Sequence, residues 1–309
     1  MRIAVYGAGG VGAYVGGRLL AAGHDVSFIA RGRNLAALRA DGLQIKSAQG
    51  DLVLPKVAAT DDPASIGPVD VVLLGVKLYD LESAAASIKP LLGPATMLVP
   101  VQNGVDAAER LASVLGGAAV VKGAVYIVSF LTAPGKVEHR SPFCKLVLAE
   151  FNNQPSKRTS DFAAALNAGG MDALVSSDIE ADLWRKFAML APFAAVACLS
   201  RASVGEVLGH EATRSLLVDA VAEVAAVAKA RGIRLPEDIV AITLKGMEAF
   251  PPASRPSMQI DIDAGRPLEL ESLSGAVVRF GKQAGVPTPV HDVAYRALSR
   301  YLPGSVARH

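Results

Sequence analysis

The chain has 309 residues, 51% of them apolar, and its 31 basic and 29 acidic residues leave a formal net charge of +2. This length allows two domains with separate cores, and the balanced charge excludes the basic excess that drives nucleic-acid binding. Two isolated cysteines and five dispersed histidines give neither a disulfide framework nor a metal-binding spacing, so we expect a reduced, metal-free, cytoplasmic protein.

A secreted or membrane-bound protein is not expected either. The chain opens on a strand pattern instead of a leader sequence. Its most apolar run, residues 188–199, contains Pro192 and is shorter than the ~20 residues that span a membrane. We therefore interpret that run as part of a buried helix.

The first thirty residues carry a dinucleotide-binding pattern, in which a strand at residues 2–6 leads through a glycine turn into a helix. The first glycine of the turn would allow a tight bend, the second would admit a pyrophosphate, and the last would let the helix approach the strand. An ordinary glycine turn is the alternative, but the flanking strand and helix favour a phosphate site at the helix N-terminus. The residues assigned to it are Gly7, Gly9, Gly10, Val11 and Gly12.

The end of the second predicted strand, residues 25–30, indicates which cofactor binds. An NAD site usually has a carboxylate there to bind the ribose 2′-hydroxyl, whereas this chain has Arg31 and Arg33. A guanidinium matches a 2′-phosphate, and the sequence therefore predicts NADP. The alternative is a pair of solvated loop arginines.

Two further apolar strands, at residues 69–76 and 96–101, continue a parallel sheet. Ligands of such sheets bind beyond the carboxyl ends of the strands, which makes Lys77 and Asn103 candidate site residues. A surface lysine and an Asn-Gly turn are the alternatives. Before these strands, the pattern predicts a short helix at residues 35–38 and a hairpin formed by residues 43–46 and 52–54.

The rest of the chain divides into a mixed segment and a helical one. Residues 120–150 alternate like an antiparallel extension of the sheet, and His139 in this segment has no evident partner. A helix at 161–168 and a strand at 173–175 would close the first domain. Beyond it we expect an irregular segment at 257–271 and long helices at 179–199, 213–231, 236–250, 273–284 and 290–302. The predicted fold is α/β, with a Rossmann-type dinucleotide-binding domain at 1–176 and an all-helical domain at 177–309.

Taken in order, these motifs resemble the ketopantoate reductases (2-dehydropantoate 2-reductases), the NADPH-dependent enzymes of pantothenate synthesis. The matching stretches are the glycine run, Arg31, the strand ending in Lys77, Gln102-Asn103-Gly104, Leu183-Trp184-Arg185-Lys186, residues 257–261 and residues 265–269. The resemblance implies that Lys186 is the catalytic general acid and Glu269 its partner. It also implies that Ser257 binds the substrate carboxylate, that Asn103 contacts nicotinamide and substrate, and that Lys77 lies near the cofactor.

The residue types suit that chemistry. Hydride transfer to a ketone builds negative charge on the carbonyl oxygen, and a nearby cation or proton donor stabilises it. Apolar neighbours on the helix face of Lys186 would lower its pKa, while a nearby Glu269 would limit that shift. The alternatives are a solvated helix lysine at 186, an exposed salt bridge at Glu269, and a helix cap at Ser257.

The chain departs from the family pattern at three positions. Family members usually have asparagines four and eight residues after the lysine and another polar contact near residue 254, whereas this chain has Leu190, Ala194 and Ser254. Three hypotheses therefore remain: a ketopantoate reductase, an NADPH-dependent reductase of a less polar 2-oxo acid, and a non-catalytic NADP-binding protein. The second domain also suggests a homodimer.

Overall fold

A computed structural model of the chain describes residues 1–304. Contacts between residues divide the chain into two compact units. The first consists of residues 1–102 and 107–179, and the second of residues 103–106 and 180 onwards. The boundary expected after residue 176 stays a prediction.

The first unit is built on a five-stranded parallel sheet, and the predicted α/β fold is confirmed. Alternate residues of its central strand enter two apolar clusters, one on each face of the sheet: Ile3 and Val5 on one side, Ala4 and Tyr6 on the other. Its strands are β1 (Arg2–Tyr6), β2 (Asp25–Ile29), β5 (Ala58–Thr60), β6 (Val71–Leu74) and β7 (Met97–Pro100), in the spatial order β5-β2-β1-β6-β7.

Two smaller sheets contain the remaining strands of this unit, which are β3 (Leu43–Ser47), β4 (Leu52–Leu54), β8 (Val121–Tyr126), β9 (Ser129–Ala133), β10 (Lys136–His139), β11 (Lys145–Glu150) and β12 (Asp172–Val175). The antiparallel pairing expected in residues 120–150 is confirmed, with β9 against β10 and β8 against β11. These strands do not extend the parallel sheet, however, because they form separate sheets in the orders β4-β3-β10-β9 and β12-β11-β8. The parallel pairing of β3 with β10, about ninety residues apart, has no local sequence signal.

His139, which has no evident partner in the sequence, is a buried side chain with two hydroxyl partners. Its Nδ1 lies 2.9 Å from the Ser47 hydroxyl and its Nε2 lies 2.9 Å from the Ser141 hydroxyl. Burial lowers the pKa of His139 below its ordinary value. This histidine thus fastens the end of β10 to β3.

Five helices belong to the first unit. They connect and cover the strands, as parallel connections require. Their bounds are α1 (Gly10–Ala21), α2 (Gly32–Asp41), α3 (Leu81–Ser87), α4 (Ala107–Leu115) and α5 (Lys157–Ala168).

The second unit is helical as far as it is described. Residues 257–263, expected to be irregular, form a helix whose first residue follows Pro256, because proline supplies a suitable extended N-cap. The helices are α6 (Ile179–Ser200), α7 (Val204–Gly209), α8 (Glu211–Ala230), α9 (Ile239–Glu248), α10 (Ser257–Asp263), α11 (Ser274–Ala284) and α12 (Pro289–Leu298).

Helix α6 is the one described helix that is long and apolar enough to cross a membrane. In the fold, however, 61% of its most apolar 18-residue window is buried inside the chain, and the helix contains Pro192. Its Val196 packs with α7, α8 and α9 in an apolar core that includes Val207 and Leu217. It therefore packs as the core helix of a soluble fold does.

Candidate functional site

The turn after β1 is shaped by two of its glycines. Gly7 has a φ of +102°, and a Cβ there would lie 2.8 Å from the backbone of Gly75. A Cβ on Gly12 would lie 2.2 Å from the Gly7 carbonyl oxygen. Only residues without a side chain therefore allow β1, the turn and α1 to pack this closely.

The same turn leaves room for a ligand at the start of α1. Gly9 is the N-cap of the helix, and no atom lies within 4 Å of the position that its Cβ would take. The first backbone N–H groups, from Gly10, Val11 and Gly12, have no acceptor within a helix that begins at Gly10. With the positive end of the helix dipole beside open space, these residues fit a pyrophosphate.

Gly10 has a second role that sequence reasoning missed. A Cβ there would lie 2.4 Å from the carbonyl oxygen of Ser129, and the Ser129 hydroxyl donates to the Gly10 carbonyl oxygen at 2.9 Å. Strand β9 thus packs directly on the start of α1. The glycine-rich motif alone gave no sign of this contact, because the partner lies 119 residues away.

The two arginines after β2 are both exposed, which suits side chains that meet a ligand from solution. Arg31 is the N-cap of α2, and Arg33 lies in the first turn of that helix. Next to them is Asn34, a residue that the sequence did not single out. Its amide donates to the Ala8 carbonyl oxygen at 2.8 Å and its oxygen accepts from the Gly135 N–H at 2.9 Å. Asn34 therefore braces the glycine turn.

Two further side chains follow neighbouring strands at the same edge of the sheet. Lys77 is half-buried, three residues after the end of β6. Gln102 follows β7 and is 7% exposed, and both polar atoms of its amide are buried without a hydrogen-bond partner in the described residues. A buried amide left without partners is costly in a finished fold, so its presence here suits an edge that receives a polar ligand.

In the second unit, the structure brings Lys186, Asn103 and Glu269 together. The Lys186 ammonium, on α6, donates to Asn103 Oδ1 at 3.0 Å. Burial lowers the pKa of Lys186 from its ordinary value of 10.5 to about 8, and the nearby Glu269 carboxylate partly opposes that shift. A pKa of about 8 lets this ammonium give up its proton more readily than an exposed lysine does, and a neutral amide and a carboxylate lie close to it.

Ser257 is placed differently from the other predicted residues. It is half-buried at the first position of α10, and it forms no side-chain hydrogen bond with the lysine cluster within residues 1–304. Ser257 is the first residue of the helix and Pro256 is its N-cap, so the alternative of a helix cap at Ser257 is wrong. Asp261 and Arg266 form an ion pair of 2.7 Å that ties α10 to the following loop.

The three positions that depart from the family pattern, Leu190, Ala194 and Ser254, differ in exposure. Ala194 is 1% exposed and belongs to the core, whereas Leu190 and Ser254 are half-buried. Leu190 lies one helical turn from Lys186 on α6. The helix face beside the lysine thus offers an apolar side chain and no amide.

Comparison with known proteins gives the family context of these residues. The family described as ketopantoate reductase PanE/ApbA matches residues 3–153, and its C-terminal counterpart matches residues 178–301. The 2-dehydropantoate 2-reductase of Mesorhizobium japonicum is 30% identical, over 98% of this chain and 98% of its own length. The crystal structure of 2-dehydropantoate 2-reductase from Geobacter metallireducens is 30% identical over 97% of this chain and 99% of that chain, with a TM-score of 0.92.

A more distant structure shares the fold alone. It is D-mandelate dehydrogenase with NADH and anilino(oxo)acetate, which is 22% identical over 97% of this chain and 98% of that chain, with a TM-score of 0.89.

Proposed function

Because this chain belongs to the ketopantoate reductase family, whose members are NAD(P)H-dependent oxidoreductases acting on CH–OH groups, we propose that it reduces 2-dehydropantoate to pantoate with NADPH. This reaction is a step of pantothenate biosynthesis. The observation that carries the proposal is the lysine cluster, in which a donor of pKa about 8 is held by Asn103 and faces the charge of Glu269. Reduction of a 2-oxo acid needs such a donor at the carbonyl oxygen.

The cofactor is assigned to the first unit. The N–H groups at the start of α1 would bind the pyrophosphate, Arg31 the 2′-phosphate, and Lys77 a neighbouring part of the dinucleotide. Open space at Gly9 and the partnerless Gln102 amide support this assignment. When bound, NADPH supplies a hydride to the carbonyl carbon of the substrate.

The remaining steps belong to residues of the chain. Lys186 transfers one proton from its ammonium to the carbonyl oxygen, which becomes the new hydroxyl group, and the neutral amine then regains a proton from water. Asn103 orients the ammonium and contacts nicotinamide and substrate. Glu269 raises the pKa of the lysine and so favours its protonated form, and Ser257 binds the substrate carboxylate.

A less polar 2-oxo acid is the second candidate substrate. Leu190 presents an apolar side chain one turn from the lysine, and Ala194 is closed off in the core. Ketopantoate carries a hydroxyl, and a helix face that offers Leu190 in place of an amide leaves that hydroxyl unpaired, at a cost of about 1–3 kcal/mol. A substrate with a plain alkyl or aryl group does not incur that cost.

One assay separates the candidates. Purified protein is tested for NADPH oxidation with ketopantoate and with a series of alkyl and aryl 2-oxo acids, and the kcat/KM values are compared. The highest value for ketopantoate supports the first proposal, and a preference for apolar acids supports the second. Binding of NADPH without turnover of any acid would overturn both. Under the second proposal, Leu190→Asn should shift the preference towards ketopantoate.

We also propose that the protein is a cytoplasmic homodimer. Both cysteines, Cys144 and Cys198, are free and buried, as expected in a reducing compartment. Ile242 on α9 and Val293 on α12 are apolar side chains 41% and 52% exposed, and contact with a second copy would remove their apolar area from water. Sedimentation equilibrium tests the dimer, and a monomer mass at micromolar concentration would contradict it.

A further inference from the structure

Side chains of the helical unit bind the segment Asn103–Asp106 at both of its ends. It follows β7 in the chain, yet its contacts place it in the second unit. At its start, Asn103 Oδ1 accepts from Lys186 at 3.0 Å, and at its end Asp106 Oδ2 accepts from the guanidinium of Arg279 at 2.6 Å. Val105 between them is 7% exposed.

The ion pair at the far end is well placed to fix the segment. The Asp106 side chain is only 11% exposed, whereas that of Arg279 is 40% exposed. A carboxylate this buried needs its cation, and the bond between them is charge-assisted and short. The ion pair of Arg279 with Asp106 therefore restrains the segment more strongly than a surface salt bridge would.

The helix that carries Arg279 also packs on the helix that carries the lysine. Phe280, next to Arg279 on α11, has its ring centroid 5.9 Å from that of Trp184 on α6. Trp184 is 2% exposed and precedes Lys186 by two residues. The two side chains that bind the segment, Lys186 and Arg279, thus come from helices that pack on each other.

We propose that Arg279 is a positioning residue that acts through Asp106 to hold Asn103 against the Lys186 ammonium. Gly104, between the two bound residues Asn103 and Asp106, has a φ of +110°, a conformation that the rest of the segment must maintain. With the Asp106 end released, the Asn103 amide loses its fixed place, and the lysine loses its orienting acceptor. This inference rests on the proposed function only in taking Lys186 as the proton donor.

The test is a cycle of variants that keeps the net charge constant. Asp106→Asn with Arg279→Gln replaces the ion pair by two amides, and Asn103→Ala is made in the wild-type chain and in this double variant. Removing the ion pair should lower kcat about 10- to 100-fold, because it misplaces the Asn103 amide beside the proposed proton donor. Asn103→Ala should cost at least about tenfold in the wild-type chain but under about twofold in the double variant. An equal cost in both backgrounds would overturn the proposal.

Two single variants serve as controls. Arg231 lies over the Phe280 ring at 4.2 Å and over the Trp184 ring at 5.9 Å, and within residues 1–304 it forms no ion pair with Asp106. Arg231→Gln should therefore leave kcat unchanged, although it removes both cation–π contacts. Arg279→Lys keeps the charge opposite Asp106 and should restore most of the activity lost in Arg279→Gln, which a role in packing alone would not predict.

A second readout does not depend on turnover. With lysines labelled with ¹³C at Cε, the Lys186 signal, assigned by its loss in Lys186→Met, should shift in Asn103→Ala. In the double variant the same substitution should cause no further shift. If Lys186→Met leaves turnover intact while this pattern holds, the proposed proton donor is wrong and the positioning contact stands. If the shift is equal in both backgrounds, the positioning contact is wrong whatever the turnover shows.

Discussion

At the scale of single residues, the proposed chemistry depends on one lysine, Lys186, whose burial disfavours its charged form. Most lysines of a folded protein remain protonated far above neutrality, and such a group is a poor proton donor at pH 7. Here burial lowers the pKa of Lys186 to about 8, and Glu269 keeps it from falling further. The neutral Asn103 amide directs the ammonium without adding charge.

The pH profile of the proposed reduction follows from this pKa. Lys186, as the assigned proton donor, can act only when protonated, so kcat/KM should be constant below pH 8 and fall about tenfold per pH unit above it. Glu269→Gln removes the carboxylate that raises the lysine pKa, so its decline should begin at lower pH. Glu271→Gln is the matched control and should keep the wild-type profile. An unmoved decline in Glu269→Gln would contradict the pairing.

We assign the choice between NADPH and NADH to Arg31. A guanidinium that binds the 2′-phosphate contributes about 1.5–3 kcal/mol, so Arg31→Ala should raise the KM for NADPH at least about tenfold and leave that for NADH nearly unchanged. Arg33→Ala measures the effect of removing a neighbouring exposed charge. Equal losses with both cofactors in Arg31→Ala would argue against the NADP assignment.

At the scale of elements, two glycines of the turn after β1 have different assigned roles. Gly12 is needed for packing, whereas Gly9 leaves space for the pyrophosphate. Gly12→Ala places a Cβ 2.2 Å from a carbonyl oxygen, so it should unfold at a clearly lower temperature. Gly9→Ala meets no atom within 4 Å and has an ordinary φ of −81°, so it should keep its melting temperature. Its methyl group would instead enter the space assigned to the pyrophosphate and weaken NADPH binding. Calorimetry of both variants, with NADPH titrations of Gly9→Ala, provides the measurement, and tight binding by Gly9→Ala would contradict the turn's assignment.

The helices and strands also show which features of the fold a local sequence pattern can predict. Four of the five parallel strands and most of the long helices are predictable from the sequence, because continuous apolar runs and helical periodicity are local signals. The fifth strand, β5, has only three residues and carries no such signal. The pairing of β3 with β10 and the contact of Ser129 with Gly10 depend on residues about ninety or more positions apart. No periodicity in the sequence encodes such partners.

The candidate site shows the same limit. The fingerprint turn, Arg31 and the strand ends can be located from sequence, since each has a known place in a parallel sheet. That Asn103–Asp106 belongs to the helical unit, and that Arg279 holds it, could not be foreseen, because an Asn-Gly pair reads equally well as a turn. The helix at residues 257–263 is not predictable from local pattern, because its apolar residues Met258, Ile260 and Ile262 alternate with polar ones and show no helical period.

At the scale of the whole molecule, each compact unit contains one buried free cysteine. Cys144 belongs to the first unit and Cys198 to the second, and burial raises the pKa of each thiol to about 12. Neither thiol reacts readily while its unit is folded. The two cysteines therefore report the opening of each unit separately.

NADPH should protect these cysteines unequally. At about 100 times its Kd, a ligand that binds only the folded form stabilises it by about 2.7 kcal/mol, so labelling of Cys144 should slow about 100-fold. Labelling of Cys198 should change much less, because the phosphate-binding turn belongs to the first unit. Mass spectrometry after timed alkylation gives both rates, and Cys198→Ser confirms the Cys144 rate in isolation. Stronger protection of Cys198 would contradict the assignment of the cofactor.

The most direct measurement is the turnover of Lys186→Met beside its affinity for NADPH. Methionine fills a similar volume without a proton to give, so kcat for the preferred 2-oxo acid should fall about 10²- to 10⁴-fold while the Kd for NADPH stays within about twofold. An unchanged kcat in a variant that still binds NADPH would contradict the role of Lys186 as proton donor.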